Sequence, residues 1–365
     1  FLAVEHPDRS LTIEKVAIRN RHIMLIRSRA PLRIGLAGGG TDVSPYCDEF
    51  GGMVLNATID KYVYCVIEPL AEASLEFRAS DLESSWSGEP KPNLALDGQL
   101  ILHKAVYNRI VRDFNYGKPL SLRMTTWSDA PPGSGLGTSS TLVVAMLKAY
   151  QEWLMLPLGD YDLAHLAFEI ERIDANLAGG KQDQYAAAFG GFNFMEFYKS
   201  DRVIVNPLRI KNWIVSELET SMLLYFTGVS RDSATIIDKQ IRNVATRDTK
   251  AIDAMHAVKA EATLMKEALL KGDLDSLVAS MNMGWNAKRA TASAVSNTKI
   301  DLVMDVAFRA GARAGKVSGA GGGGFITFIV DPARRMDVIR TLENTDGLVM
   351  SCRFTNDGSQ GWKIL

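Results

Sequence analysis

The sequence has little excess charge and no long apolar segment. Its 41 Lys and Arg residues balance 42 Asp and Glu residues, which leaves a formal net charge of -1 at pH 7. No field of one sign is therefore present to attract nucleic acid or a membrane surface. The longest apolar runs fall well short of the length that a membrane-spanning helix needs. These absences argue against a nucleic-acid or membrane partner.

Cysteine is also scarce. The three cysteines, Cys47, Cys65 and Cys352, are odd in number and far apart, so they match neither a metal-ligand spacing nor a disulfide framework. A reducing cytoplasm is the location that this usage favours. The 365 residues are 47% hydrophobic and 23% charged, which is typical of a globular protein of about two domains.

Hydrophobic periodicity and turn residues predict a mixture of strands and helices. The predicted strands are residues 25–37, 53–70, 74–78, 120–127, 192–197, 203–205, 222–226, 314–317, 325–330 and 348–354. The predicted helices are residues 100–114, 141–154, 160–176, 185–189, several within 234–293, 300–312, and one after Pro332. Residues 84–97 are predicted to form a polar loop.

A glycine-rich stretch, residues 129–140, lies between a predicted strand and a predicted helix. Gly133, Gly135 and Gly137 leave the backbone uncovered, so successive N–H groups can point at one anion. The hydroxyl residues 138–140 lie where the helix begins, and the free N–H groups there also favour an anion. The stretch lacks the Lys of a P-loop and the third Gly of a dinucleotide-binding motif. It predicts a phosphate-binding loop, with a plain glycine-rich turn as the alternative.

Two other stretches combine glycines with an acidic residue. Residues 38–42 read Gly-Gly-Gly-Thr-Asp, and Asp42 could also cap a short helix that Pro45 helps to start. Residues 179–184 contain Asp183, which in isolation is an ordinary loop carboxylate.

A third glycine string, residues 318–325, is a long run of small residues that needs a backbone reason, with a tight turn between two strands as the alternative. The predicted helix 160–176 carries Glu169 and Glu171 on opposite edges of its apolar face. Periodicity does not choose between these two glutamates.

Together these stretches resemble the motifs of the GHMP small-molecule kinases. Residues 131–139 are similar to their Pro-Pro-Gly-Ser-Gly-Leu-Gly-Ser-Ser motif for ATP, and residues 38–42 replace their Gly-Glu-His-Thr-Asp sugar motif. Residues 180–184 resemble Gly-x-x-Asp-Gln, and residues 319–325 resemble Gly-Ala-Gly-Gly-Gly-Gly-Phe. The motifs stand in family order, which identifies the chain as a member of this family.

The resemblance implies an α+β fold of two domains with the active site between them. Residues 24–205 would form the N-terminal ATP-binding domain, similar to domain 2 of ribosomal protein S5, and residues 206–365 a ferredoxin-like C-terminal domain. Residues 1–23 would be an N-terminal extension before Met24.

The resemblance also implies roles for individual residues. ATP would be bound by Pro132, Gly133, Ser134, Gly135, Leu136, Gly137, Thr138, Ser139, Ser140, Gly321 and Gly322. Mg²⁺ would be held by Ser139 and Glu171, the latter preferred over Glu169 because Glu171-Arg172 matches the family's Glu-Arg pair. Asp183 would act on the acceptor hydroxyl, with Arg33 or Lys181 as the cation that offsets nearby negative charge.

The resemblance of the sugar motif, residues 38–42, also implies which molecule accepts the phosphoryl group. Thr41 and Asp42 would bind the sugar, and the Gly-Gly-Gly-Thr-Asp string most resembles that of D-glycero-D-manno-heptose 7-phosphate kinases. These phosphorylate the anomeric hydroxyl to the 1,7-bisphosphate for GDP-heptose biosynthesis, and Arg231 and Lys288 would bind the existing phosphate. The alternatives are an L-fucose kinase, another sugar-1-kinase of the family, or a catalytically silent ATP and sugar sensor. The expected partner is thus a small sugar phosphate, and no oligomeric state is predicted.

Overall fold

The computed structural model of the protein describes residues 24–228, 233–292 and 294–364. The extension predicted over residues 1–23 lies outside the described residues. So does Arg231, which was predicted to bind the phosphate of the sugar. The strands are Leu25–Ala37 (β1), Gly52–Pro69 (β2), Leu75–Ala79 (β3), Ser84–Gly88 (β4), Leu122–Ser128 (β5), Phe192–Phe197 (β6), Val203–Pro207 (β7), Met222–Phe226 (β8), Ala312–Val317 (β9), Phe325–Val330 (β10), Leu348–Ser351 (β11) and Gln360–Ile364 (β12). The α-helices are Tyr46–Phe50 (α1), Ile101–Phe114 (α2), Thr138–Leu154 (α3), Asp160–Glu169 (α4), Gln182–Phe189 (α5), Asn212–Ser221 (α6), Ser233–Ala245 (α7), Thr249–Lys271 (α8), Leu274–Thr291 (α9), Thr298–Ala310 (α10) and Arg335–Glu343 (α11).

Strand β2 organises the larger sheet because it pairs with three other strands. It runs antiparallel to β1, and then its two halves diverge, residues 52–57 pairing with β6 and residues 63–69 with β5. The strand order is β12-β1-β2-β5-β3-β4, with β6 and β7 branching from β2. Helix α3 packs on β1 and β2, and its apolar residues 143–147 are fully buried. This packing holds the N-terminus of α3 at one end of the sheet.

The second sheet is antiparallel in the order β11-β8-β10-β9. Every residue of β10 is buried, because helices cover both faces of the sheet. On one face the apolar residues join α8, α9 and the larger sheet in one core, whereas on the other they pack against α10 and α11. The two-part α+β architecture expected from the sequence is therefore confirmed. No helix of the described residues has the length and apolar character to cross a membrane.

Several elements differ from the sequence-based expectation, and helix α6 and strand β12 were not predicted at all. Helix α3 begins at Thr138, so residues 138–140 form its first turn. The helix predicted over residues 160–176 ends at Glu169 and continues as a π-helical turn, Ile170–Asp174, closed by a 2.8 Å bond from Ala175 N to Ile170 O. The polar loop predicted from residue 84 contains β4, whose Trp86 ring stacks 5.4 Å from Phe77. One aromatic among serines gives no alternating pattern, so the sequence could not indicate this strand.

The end of the chain returns to the first sheet. Strand β12 pairs with β1 from Leu25 opposite Ile364 to Arg29 opposite Gln360. Before it, Thr58 Oγ1 donates to the carbonyl of Thr355 at 2.8 Å. The expected boundary gave all of residues 206–365 to the second domain, whereas the structure adds their last strand to the first. Edge pairing is a tertiary property that hydrophobic periodicity does not encode.

Gly190→Ala tests this return of the chain. Gly190 has φ 69°, and a Cβ there would lie 2.3 Å from the carbonyl carbon of Asp357. Its ψ of 173° places Gly190 in a region that is nearly restricted to glycine, which costs an alanine roughly 1–3 kcal/mol, and forced overpacking adds roughly 1–3 kcal/mol. We expect the free energy of unfolding, measured in urea, to fall by the sum of these two costs. Gly98→Ala is the matched control, since Gly98 has φ 62° with nothing within 4 Å, and equal losses in both variants would contradict the close approach.

Candidate active site

A cavity of about 420 Å³ lies between the two sheets, where the glycine-rich loops meet. Its lining carries three cationic side chains and three carboxylates, which are Arg33, Arg172, Lys288, Asp42, Glu171 and Asp183. Residues 133–135 and 137–140, the loop 177–180, residues of α7 and the pair Gly319 and Ala320 also line it. Positive and negative groups therefore face one space.

The predicted phosphate-binding loop, residues 129–140 (called the phosphate loop below), contacts the third glycine string, residues 318–325, through the backbone. The Phe325 N–H donates to the carbonyl of Ser134 at 2.8 Å. A Cβ on Gly135 would lie 2.7 Å from the Ser318 carbonyl oxygen, and one on Gly324 would lie 2.4 Å from the Ser134 carbonyl oxygen. Only glycine allows so close an approach, which explains why both strings consist largely of small residues.

Most of the predicted ATP-binding residues line the cavity. These are Gly133, Ser134, Gly135, Gly137, Thr138, Ser139 and Ser140. Pro132 and Leu136 do not line it, and Leu136 is buried while its carbonyl accepts the Arg33 N–H at 3.2 Å.

Gly321 and Gly322 require a correction. Gly322 N–H donates to the carbonyl of Val295 at 2.8 Å, and a Cβ on Gly321 would lie 2.8 Å from that same oxygen. Both glycines thus pack against the loop that precedes α10. The residues of this string that line the cavity are Gly319 and Ala320.

Asp183 and Arg33 form the central ion pair. Arg33 is 3% exposed, and its Nε and Nη2 atoms lie 2.7 and 2.6 Å from Asp183 Oδ1. Its Nη1 donates to the Gly135 carbonyl at 2.7 Å, so the same guanidinium also holds the phosphate loop. The structure thus brings together Asp183, Arg33 and the phosphate loop, as the sequence predicted.

Lys181, the other predicted cation, is directed elsewhere. It is buried, its Nζ lies 2.7 Å from Asp201 Oδ1, and it lies 5.4 Å from the centre of the Phe168 ring. Lys181 does not line the cavity. The expectation that it lies beside Asp183 is therefore wrong, because the first turn of α5 turns consecutive side chains to different sides.

Glu171 reaches the cavity through the π-helical turn. Its carboxylate accepts 2.6 Å hydrogen bonds from the hydroxyls of Ser139 and Ser140, and a 2.7 Å bond from Gln184 Nε2. Glu169 instead pairs with Arg109 at 2.6 Å, outside the cavity lining. The wider turn changes the direction of residues 170–174, and such turns are frequent at functional sites.

Thr41 and Asp42 are held by protein groups. Thr41 is fully buried, its Oγ1 lies 2.8 and 2.9 Å from the carbonyls of Gly38 and Met53, and it does not line the cavity. A sugar contact from its side chain is therefore wrong. Asp42 borders the cavity, but it does not cap α1, whose N-cap has no side-chain hydrogen bond. Its carboxylate accepts the N–H groups of Lys181 and Gln182 instead, at 2.9 and 3.0 Å.

Lys288 enters the cavity from α9. Its Nζ donates to the carbonyl of Gly319 at 2.5 Å and lies 3.6 Å from the place of a Cβ on Gly39. Burial, with Lys316 and Arg33 nearby, lowers the pKa of Lys288 to about 7 against the opposing effect of Glu261 and Asp42. Lys288 thus lies between residues 38–40 and the third glycine string.

Sequence reasoning did not assign three polar residues that line the cavity. Arg172 Nε donates to the carbonyl of Gly180 at 3.3 Å, Gln182 Nε2 donates to Asp42 at 3.1 Å, and Gln240 Nε2 donates to Thr291 at 2.9 Å. The Glu-Arg pair was a usable signal for Arg172. Gln240 lies on α7, where only the fold brings it to the site.

Comparison with known proteins shows the family. Family models described as GHMP kinases N terminal domain and GHMP kinases C terminal match residues 101–191 and 265–346. The chain is 49% identical over 339 residues to D-glycero-alpha-D-manno-heptose 7-phosphate kinase of Campylobacter jejuni, which covers 93% of this chain and 99% of that protein.

Two further relatives bracket the similarity. A crystal structure of a D-glycero-D-manno-heptose 1-phosphate kinase from Bacteroides thetaiotaomicron matches with TM-score 0.80 and 51% identity, over 93% of this chain and 99% of that one. The bifunctional fucokinase/GDP-fucose pyrophosphorylase of Arabidopsis thaliana is 26% identical over 92% of this chain and 32% of that protein.

The fold and the site thus define a phosphotransferase with a glycine-rich phosphate loop and a cleft between two sheets. The chain belongs to the GHMP kinase family, and the sequence-based identification is confirmed.

Arg33→Met should lower turnover by about two to three orders of magnitude, because it removes the positive charge beside Asp183 and the bond to Gly135. Lys181→Met is the matched control, and its kcat should stay within about threefold of wild type since Lys181 faces Asp201. ADP release measured with a coupled assay gives both values. If kcat falls as far in Lys181→Met as in Arg33→Met, the assignment of Arg33 as the cation that acts beside Asp183 is refuted.

Proposed function

We propose that this protein is an ATP-dependent sugar kinase that phosphorylates the anomeric hydroxyl of D-glycero-D-manno-heptose 7-phosphate. The product would be the 1,7-bisphosphate, a precursor for GDP-heptose. The observation that carries the proposal is the 49% identity to a heptose 7-phosphate kinase over 99% of that protein. The names of the relatives at about 50% identity differ in the phosphate position, 7-phosphate in one and 1-phosphate in the other. The position of the new phosphate is therefore a part of the proposal that needs its own test.

The charges that line the cavity support the proposed chemistry. The acceptor oxygen would attack the γ-phosphorus of ATP, its proton would pass to Asp183, and the bond from the γ-phosphorus to the bridging oxygen would break to release ADP. The N–H groups of residues 133–139 would bind the ATP phosphates at the N-terminus of α3. Arg33 would hold the Asp183 carboxylate in place and offset charge on the transferred group.

The donor set at Ser139 and Glu171 fits Mg²⁺. This ion takes oxygen ligands and in kinases uses one or two carboxylates, while phosphates and waters complete its shell. We propose that these two residues hold Mg²⁺, which when bound would neutralise phosphate charge.

Substrate specificity is the direct test. The coupled ADP-release assay would compare heptose 7-phosphate, heptose 1-phosphate, free heptose and L-fucose as acceptors, and ³¹P NMR of the product would identify the new phosphate by its coupling to the anomeric proton. Heptose 7-phosphate should be the best acceptor. Preference for L-fucose would favour the fucose kinase alternative, and no turnover of any sugar despite ATP binding would favour the silent sensor.

Asp183→Asn should reduce turnover by about 10²–10⁴-fold, the usual cost of losing a general base, while ATP binding changes little. Isothermal titration with a non-hydrolysable ATP analogue would measure binding beside the kinetic assay. Turnover within a few-fold of wild type would remove Asp183 from this role.

Glu171→Gln should weaken Mg²⁺ binding and lower turnover, because the amide is a poor ligand for a hard cation. Excess Mg²⁺ should partly restore activity. Glu169→Gln is the matched control, since Glu169 pairs with Arg109 and leaves the cavity untouched. The measurement is ADP release against Mg²⁺ concentration, and the reverse pattern would show that the wrong glutamate has been assigned.

Lys288→Met should raise the KM for the sugar phosphate by about one to two orders of magnitude, since a charge-assisted bond to phosphate contributes roughly 1.5–3 kcal/mol. With a pKa of about 7, Lys288 is charged below that pH. Lys288 should therefore bind the phosphate more weakly, and the wild-type KM for the sugar phosphate should rise, as pH increases from 6.5 to 8.5.

In Lys288→Met the pH dependence of this KM should be much weaker. Ionisation of the sugar's own phosphate is common to both enzymes and cancels in their ratio. An effect on the KM for ATP instead would show that Lys288 contacts the nucleotide.

A further inference from the structure

We propose that Arg109 is a positioning residue that holds the π-helical turn Ile170–Asp174 in shape and so directs Glu171 into the cavity. Arg109 stands on α2 and does not line the cavity, so its effect on the reaction would pass through Glu171. The consequence for Mg²⁺ rests on the proposed function, whereas the hold of Arg109 on the turn does not.

The first argument is that Arg109 binds the turn at both ends. Its Nε and Nη2 atoms donate to Asp174 Oδ2 and Oδ1, both at 2.8 Å, and its Nη1 donates to Glu169 Oε2 at 2.6 Å. Glu169 directly precedes the turn, and Asp174 is its last residue. Arg109 is only 8% exposed, so these charge-assisted bonds are screened less than those of a surface ion pair.

The second argument is that the wider turn lets one guanidinium bind both carboxylates. In a regular α-helix, residues five positions apart lie about 140° apart around the axis, because each turn takes 3.6 residues. A π-helical turn closes between residues i and i+5, which brings Glu169 and Asp174 to the same side. The 2.8 Å bond from Ala175 N to Ile170 O has this spacing. The contacts of Arg109 therefore favour the π-helical turn over an α-helical one.

The third argument is that the direction of Glu171 depends on this turn. Glu171 follows Glu169 by two residues, and it therefore points to the side opposite Arg109. Its buried carboxylate meets the hydroxyls of Ser139 and Ser140, both at 2.6 Å. A change of the turn toward α-helical geometry would rotate this carboxylate away from Ser139, the other proposed Mg²⁺ ligand.

Mg²⁺ titration tests the role of Arg109 in the reaction. Arg109→Met removes all three bonds, while the carboxylates of Glu169 and Asp174 are 32% and 20% exposed and can still be hydrated. We expect the Mg²⁺ concentration for half-maximal ADP release to rise about 10- to 100-fold, the usual cost of losing a group that orients a metal ligand. The KM for the best wild-type acceptor, measured at saturating Mg²⁺, should stay within about threefold of wild type.

Hydrogen exchange measures the turn itself, in protein without nucleotide or metal. The Ala175 amide donates to the Ile170 carbonyl, and the Leu177 amide donates to the Glu171 carbonyl at 3.0 Å. In Arg109→Met both amides should exchange at least about tenfold faster than in wild type, because local opening of the turn becomes easier. Unchanged exchange would overturn the proposal.

Three further variants serve as controls. Arg112→Met removes an exposed arginine of the same helix that binds Asp113 at 2.6 Å, and it should behave as wild type in both measurements. Glu169→Gln keeps an oxygen that can accept the Nη1 bond and leaves both bonds to Asp174, so it should retain the turn. Arg109→Lys keeps the charge but lacks the planar fork, so it should be impaired like Arg109→Met. Full activity and wild-type exchange in Arg109→Lys would overturn the role of the three bonds.

A double-mutant cycle separates positioning from a general loss of stability. In the Glu171→Gln background, Arg109→Met should change the Mg²⁺ requirement by less than about threefold, because the group that it positions is already altered. Equal effects in both backgrounds would overturn the proposal. If Arg109→Met does not fold, Asp174→Asn replaces it, and wild-type exchange with wild-type Mg²⁺ requirement in that variant would overturn the proposal equally.

The outcomes also distinguish this inference from the proposed function. If Glu171→Gln leaves Mg²⁺ activation unchanged, the proposed Mg²⁺ site is wrong, and hydrogen exchange alone then decides whether Arg109 holds the turn. Failure of heptose 7-phosphate as a substrate refutes the proposed acceptor and leaves the test of Arg109 as it stands, because that test uses whichever sugar the wild-type enzyme phosphorylates best.

Discussion

The buried guanidinium of Arg33 is the contact on which the site depends. It joins three elements that are distant in sequence, because it stands on β1, binds Asp183 on α5 and binds the carbonyl of Gly135 in the phosphate loop. Removing one partner of a buried charge pair leaves the other uncompensated, at a cost of roughly 3–5 kcal/mol. The same bonds therefore fix the spacing between the group that would receive a proton and the loop that would hold the phosphates.

Residues of the second sheet complete this arrangement from the opposite side. Lys316 Nζ donates to the carbonyl of Leu36 at 2.8 Å, and Glu261 lies 3.9 Å from the same ammonium group. Burial raises the pKa of Glu261 and lowers that of Lys316. These buried polar groups join the end of β1, just before residues 38–40, to β9, so both walls of the cavity belong to one packed core.

The sequence indicated the motifs and the chemistry better than the contacts between them. Local backbone requirements and hydroxyl placement singled out a loop that lines the cavity, and the family's Glu-Arg pair favoured Glu171, which also lines it, over Glu169. The directions of Lys181 and Thr41 were wrong, because a residue next to a functional one in sequence can face the opposite side of a turn. The packing of Gly322 on Val295 and the return of β12 to β1 depend on contacts between distant segments, for which one sequence holds no local signal.

The pairing of β12 with β1 also orders events during synthesis. The ribosome synthesises β1 long before β12. This edge of the first sheet is complete only when Ile364 can pair with Leu25. Until then the outer N–H and C=O groups of β1 are an open edge that another chain could pair with. Such long sequence separation slows folding, since the chain must close a large loop before the contact stabilises it. The fold thus leaves this edge of the nascent chain open to aggregation until β12 has been made.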